Sequence, residues 1–363
     1  MLRQSARFSR TLGVAAQLGC AVLVVESSAA RAETIELRLA SGNDLGIEYV
    51  DTAQQFFVPQ VIRRVKERTG IDLKIAEYYG GSLVKATEVL DSVSGGKIDF
   101  GLFCICHEGK KLALNNFVFL APFSSTDPVI AQRAVREVYR RVPELDARFE
   151  KDFNQKPIAL MPLEPYDLLT TFPIKQPKDL HGHTVSGSGP NFPWMLALGT
   201  KVFATRGQHD HGPNHPDYDA SLAFAQLVTS LKLYNKGMTH FVRTGLGAQV
   251  ILVLTVNNDT LKRLPPEVQK IVIETASEYE TLVTQRTKDN YRPHIDELAA
   301  RGMTVSEFSS AEQAEWAQSL VSWSTSEIQK LDNAGLPASR AVRSFVAEQE
   351  RLGHKWVVRW GNP

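Results

Sequence analysis

No catalytic signature is present in the sequence. The 363 residues contain no G-x-S-x-G elbow, no H-E-x-x-H, no Walker loop and no dinucleotide fingerprint, so common hydrolase, zincin, nucleotide and redox-cofactor chemistries lack their local motif. Charge of one sign is missing as well. The 41 basic and 40 acidic residues leave a formal net charge of +1, with no excess to neutralise a nucleic-acid backbone. Long apolar runs are short here: the longest, Thr11–Val25, has 15 residues, too few for a comfortable membrane span. Cysteine is scarce, with three in the chain, so a disulfide-stapled miniature fold is excluded. At this length the chain buries one large core or two ordinary ones.

What is present begins with an export signal. Arg3, Arg7 and Arg10 precede the apolar run, and Ala30-Arg31-Ala32 follows it. That is the three-part layout of a secretory signal peptide over residues 1–32, with cleavage after Ala32. Removing it takes away four basic residues and one acid and moves the net charge from +1 to −2. The reading is an exported, near-neutral protein of the periplasm, without a nucleic-acid partner.

Alternation in "TIELRLASG" predicts a first strand, helical spacing of Phe57, Val61 and Val65 a helix stopped by Gly70, and "IDLKIAEYYGGS" a second strand. "LVKATEVLDSVSGG" reads as a helix with Leu83, Thr87, Leu90 and Val93 on one face, and "KIDFGLFCIC" as a third strand. The order β-α-β-α-β predicts an α/β fold with a parallel sheet under helices. "KPIALMP" is a strand leaving into a Pro-bounded loop, and "DLHGHTV" a strand entering the loop "SGSGPN". "AQVILVLTVNN" is a strand buried on both faces. A long helix starts at Pro265-Pro266 and buries Val268, Ile271, Val272, Thr275, Tyr279 and Leu282; two more helices follow Ser310 and Pro337.

Two features invite a metal reading. Cys104 and Cys106, one residue apart on a strand, point to opposite faces; a mutual disulfide is then disfavoured and both read as small buried residues. The rival reading joins them to His107 as soft ligands. "GQHDHGPNHPD" holds His209, His211 and His215 and no aliphatic side chain. It is read as a solvated loop, with a transition-metal site at these three histidines as the alternative; an exported metal-binding protein is the runner-up function.

Four stretches together resemble the substrate-binding subunits of TRAP transporters, of the dicarboxylate-binding type. They are "YYGGSLVKATEVLDSVSGGKIDFGLF", "FVFLAPFSSTDP", "YDLLTTFPIKQPKDLHGHTVSGSGPNFPWMLALGTKVF" and "FVRTGLGAQVILVLTVNNDTLKRLPPEVQKIV". The resemblance implies a two-lobed periplasmic-binding-protein-like fold, with mixed sheets covered by helices and a long hinge-spanning helix. It implies lobe I at 33–158 with returns from 247–264 and the C-terminal region, and lobe II at 159–246 completed by part of 265–363. It implies capture of a small organic acid, delivery to membrane permease subunits, no cofactor and no catalysis.

The chain departs from that family at one point. Where the family's strand ends in an Arg that clamps the ligand carboxylate, this sequence places Ser186, and the preceding loop offers Tyr166 and Asp167 in place of a further cation. Arg243 is the preferred replacement, ahead of Arg206. Asn43, Tyr79, Asn191, Phe192 and Trp194 complete the expected ligand-binding set, while Gln249 reads equally as structural. Asp219-Ala220 matches the family's acidic-small pair, but residues 207–217 look foreign, as an insertion or a slip of the coding frame.

Overall fold

The computed structural model describes residues 34–204 and 218–361. The signal segment and the histidine patch with His209, His211 and His215 lie outside them. The described chain folds around two sheets. The first has the strand order β2-β1-β3-β10-β4: β1 (Thr34–Ser41), β2 (Asp72–Tyr78), β3 (Phe100–Cys104), β4 (Gln155–Pro165) and β10 (Ala248–Asn257). β1 runs parallel to β2 and β3, and β10 runs antiparallel to β3 and β4. The second has the order β11-β9-β5-β8-β6-β7: β5 (Asp167–Thr170), β6 (Thr184–Gly187), β7 (Lys201–Ala204), β8 (Ala220–Ala223), β9 (His240–Arg243) and β11 (Thr304–Glu307). β6 lies parallel to β7 and β8, and β5 antiparallel to β8 and β9.

Helices cover both sheets: α1 (Glu48–Thr52), α2 (Val58–Thr69), α3 (Val89–Ser94), α4 (Pro128–Arg141), α5 (Glu144–Phe153), α6 (Phe192–Leu196), α7 (Ala225–Ser230), α8 (Asn258–Arg263), α9 (Pro266–Ala300), α10 (Ser310–Asn333) and α11 (Ala338–Arg351). No helix among the described residues is long and apolar enough to cross a membrane.

The apolar patterns account for these elements. β10 is buried at every position because β3 and β4 flank it while α3 and α4 pack on it. α9 opens at Pro266, where a missing N–H costs nothing, and buries Val268, Ile271, Val272, Thr275 and Tyr279. It packs on α2 and β4 at the first sheet and on α7 and β11 at the second. α10 opens with a reciprocal cap between Ser309 and Glu312.

Three local expectations change. Leu83–Glu88 form turns and only Val89–Ser94 is helical. The cause is a close approach: the Gly80 N–H donates to the Asn43 carbonyl at 2.9 Å, folding this segment onto the end of β1. The strand through Met161 does not yield to a loop but continues to Pro165, with irregular register against β10 around Pro162. The first passage between the sheets therefore falls at Tyr166. Cys104 and Cys106 are joined in a disulfide. Opposite-face alternation does not apply to them, because β3 stops at Cys104 and Ile105–Glu108 form a 3-10 turn.

Candidate functional site

Short segments carry the chain between the sheets at Tyr166, between β4 and β5, and at Thr244–Gly247, between β9 and β10, and α9 carries it from β10 across to β11. The two short crossings are tied together. The Tyr166 N–H donates to the Gly247 carbonyl at 3.2 Å, and the Thr244 hydroxyl donates to the Tyr166 carbonyl at 2.6 Å. Tyr166 also lines a small cavity of about 80 Å³ that is partly open to solvent. The carboxyl ends of parallel strands meet there, as in open α/β sheets generally. Asn43, Ile47 and Tyr49 follow β1, Cys104, Cys106 and His107 end β3, and Ser188 and Asn191 follow β6. Leu163, Tyr166, Leu222, Phe224, Leu227 and Leu252 complete the wall.

No Lys, Arg, Asp or Glu stands among these lining residues. Burial pushes the Tyr49 and Tyr166 phenols up to about 12, so both stay protonated and can donate. It pushes the His107 imidazole below its ordinary value. Asn43 Nδ2 donates to the Tyr49 hydroxyl at 2.8 Å, which directs the phenolic hydrogen elsewhere. Asn191 is 0 % exposed, and neither Nδ2 nor Oδ1 has a hydrogen-bond partner among the described residues. A buried amide left unpaired is costly, and this one stands at the cavity wall. Its fit depends on Gly187: a Cβ there would stand 2.7 Å from Asn191 Oδ1.

Three of the expected ligand-binding residues, Asn43, Tyr166 and Asn191, meet at this cavity. The others lie elsewhere. Ser186 is buried within the second sheet, its hydroxyl donating to Ser221 Oγ at 2.8 Å; the neighbouring strand supplies its partner. Trp194 is a core residue, 0 % exposed, with its indole N–H donating to the Phe119 carbonyl at 3.0 Å. Phe192 opens α6 half-buried, off the wall. The Tyr79 hydroxyl is bonded to Glu77. Asp219 anchors β6, accepting the Thr184 N–H at 3.0 Å beside His183.

Arg243 stands off this cavity among the described residues. It pairs with Glu307 at 2.8 Å in a separate crevice with Asp167, Tyr291 and His354. Arg243→Ala is therefore expected to leave an acid-induced thermal shift intact; its loss would return Arg243 to the site. Gln249 donates weakly to the Leu246 and Gly247 carbonyls, at 3.4 Å each, a structural place at the crossing.

Sequence reading missed Ile47, Tyr49, Leu163, Ser188, Leu222, Phe224, Leu227 and Leu252. Only Ser188, inside the Gly/Ser loop after a strand, carried a local signal. It also missed the contacts that draw the two sides together beside the cavity. The Glu48 N–H donates to Gln226 Oε1 at 3.3 Å and the Ser230 hydroxyl to the Gly46 carbonyl at 2.7 Å. His294 Nδ1 lies 2.6 Å from Glu164 Oε1. Desolvation alone would lower the His294 value, but the Glu164 bond and charge outweigh it and the value is raised.

Residues 219–327 match the family of bacterial extracellular solute-binding proteins, family 7. Among solved structures, an extracytoplasmic solute receptor of Bordetella pertussis binding pyroglutamic acid is similar at 18% identity and TM-score 0.73, over 86% of this chain and 99% of that one. A TRAP solute-binding protein of Rhodoferax ferrireducens with copurified benzoate is similar at 14% identity and TM-score 0.74, over 88% and 100%. One from Desulfovibrio salexigens with bound orotic acid is similar at 18% and 0.72, over 87% and 99%. The family match covers residues 219–327, and the fold is shared along nearly the whole length of those structures.

Proposed function

We propose that the cavity captures a small organic monoacid with an apolar or ring-shaped body, outside the cytoplasm, for delivery to a TRAP permease. The relatives bind pyroglutamate, benzoate and orotate, each with one carboxylate or a flat ring. Among the described residues the lining has the matching chemistry, apolar walls with a few convergent donors and no fixed cation. A dicarboxylate would bring two charges against a wall whose described residues hold no counter-ion, a heavy desolvation cost. One carboxylate is tolerable when neutral donors surround it, because hydrogen bonds to a charged acceptor are worth about 1.5–3 kcal/mol each. Closure is a hinge movement of two lobes, one per sheet, about the crossings at Tyr166 and Thr244–Gly247, with the signal segment 1–32 directing export.

The carrying observation is the Asn191 amide, fully buried and without a partner among the described residues. Asn191→Leu tests it, because the two roles of that amide move opposite readouts. Without solute the variant melts no lower than the parent, and its stability rises by about 1 kcal/mol as an unpaired polar group disappears. With benzoate or pyroglutamate, affinity by calorimetry drops roughly 10- to 100-fold. Unchanged affinity would remove the amide from the site. A parent chain that takes up succinate and ignores every monoacid would sink the monoacid reading.

A further inference from the structure

One cluster on the cavity wall has no task in solute capture by neutral donors. β3 ends at Cys104, and the 3-10 turn Ile105–Glu108 swings Cys106 and His107 to the same side. The two sulfurs and a ring nitrogen of His107 lie within 4.8 Å of one another. All three residues line the cavity. The turn is held from behind, where Asn116 Nδ2 donates to the Ile105 carbonyl at 3.2 Å and to the Leu112 carbonyl at 3.0 Å. The imidazole has no hydrogen-bond or ion-pair partner among the described residues.

We propose that the reduced form of Cys104 and Cys106, together with His107, is a zinc site whose fourth position opens onto the cavity. Two thiolates and one imidazole form a soft S₂N donor set suited to tetrahedral zinc with one place left for a small ligand. Charge selects the divalent ion: two thiolates and Zn²⁺ sum to zero, whereas a monovalent ion would leave a net negative charge against Leu163, Leu222 and Leu252. The site is gated by oxidation state. In the disulfide form no thiolate is available. A small dithiol reduces the bond by giving two electrons and two protons and becomes a cyclic disulfide itself; zinc then displaces both thiol protons. The bridge spans one intervening residue, and loops so short gain the least from chain entropy.

The test uses the full chain, reduced with dithiothreitol, freed of it by gel filtration under argon, and titrated with zinc chloride at neutral pH. The expected result is one zinc per chain, with two protons released per zinc, read from calorimetric heats in two buffers of different ionisation enthalpy. Cobalt in place of zinc is expected to give an intense thiolate-to-metal absorption band. Cys104→Ser and Cys106→Ser abolish that band, and His107→Ala keeps it while weakening zinc roughly tenfold or more. The untreated disulfide form shows no band, an arm that needs no variant to fold. A triple variant, His209→Ala with His211→Ala and His215→Ala, retains both uptake and band. No stoichiometric uptake by the reduced chain overturns the proposal, as does uptake lost only in the triple variant or a band that survives both serine substitutions. Solute titration of the untreated chain is read separately, so either reading can fail alone.

Discussion

Trp194→Ala is expected to lower the free energy of unfolding by about 3–5 kcal/mol, the range for emptying a large buried aromatic site. The ring is 0 % exposed, stacked at a tilt on Phe119 with centroids 5.5 Å apart and edge-on to Tyr166 at 6.3 Å. Two further losses add to the cavity. The Phe119 carbonyl loses its indole donor. The Trp194 carbonyl accepts the Trp316 indole N–H at 2.8 Å, so relaxation of α6 into the void strains a second tryptophan. Trp194→Phe keeps most of the volume and gives up the indole bond, a smaller cost of about 1–2 kcal/mol. Urea denaturation followed by fluorescence of the remaining tryptophans and by far-ultraviolet dichroism checks both. Because Trp194 backs the Tyr166 ring, affinity for a monoacid falls as a consequence of lost bracing. A variant that keeps its stability and loses only solute binding would put the indole in contact with solute and overturn this placement.

That outcome bears on what could be read without coordinates. Period and punctuation were sufficient for β1, β10, α9 and the two final helices, because each carries its pattern over many residues and ends at Gly, Pro or a capping Ser. Among the candidate residues, Asn43, Tyr166 and Asn191 each follow a strand end and meet at the cavity. Its apolar wall was not legible, since Leu222 or Leu252 on a cavity and Leu254 in a core are written with the same letter. Ser186 and Arg243 were misplaced for a different reason. Their partners, Ser221 and Glu307, lie 35 and 64 residues further along the chain, and nothing local announces them. The cysteines turned on a strand boundary, and a shift of one residue was enough to convert opposite faces into a shared side.

Asp167→Asn is expected to change how stability depends on pH, by up to about 4 kcal/mol between acid and mildly alkaline solution. Asp167 opens β5 next to Tyr166 and is 1 % exposed. Its carboxylate accepts the Thr244 N–H and the Tyr291 hydroxyl, each at 2.9 Å. Burial dominates over these bonds and over the charge of Arg243, and the value rises from 3.8 to about 7. A folded value above the unfolded one means that the native state holds a proton which the unfolded chain releases. Between about pH 4 and 7 stability therefore falls as pH rises, at up to about 1.4 kcal/mol per unit, and above 7 the loss is complete. The asparagine variant carries no such charge and keeps an acceptor for the Thr244 N–H. It is expected to match the parent or trail it near pH 4 and to exceed it near pH 8. His294 loses its own stabilising contribution as pH rises through its raised value, so the readout is the difference between parent and variant in urea midpoints, where that contribution cancels. Parallel curves for the two proteins would show that Asp167 is ionised throughout. Because Asp167 joins β5 to Thr244, it pins one short interlobe crossing to the other. A charge appearing there near neutrality loosens the same backbone about which the proposed closure turns, and solute affinity is expected to follow the same pH window in the parent and not in the variant.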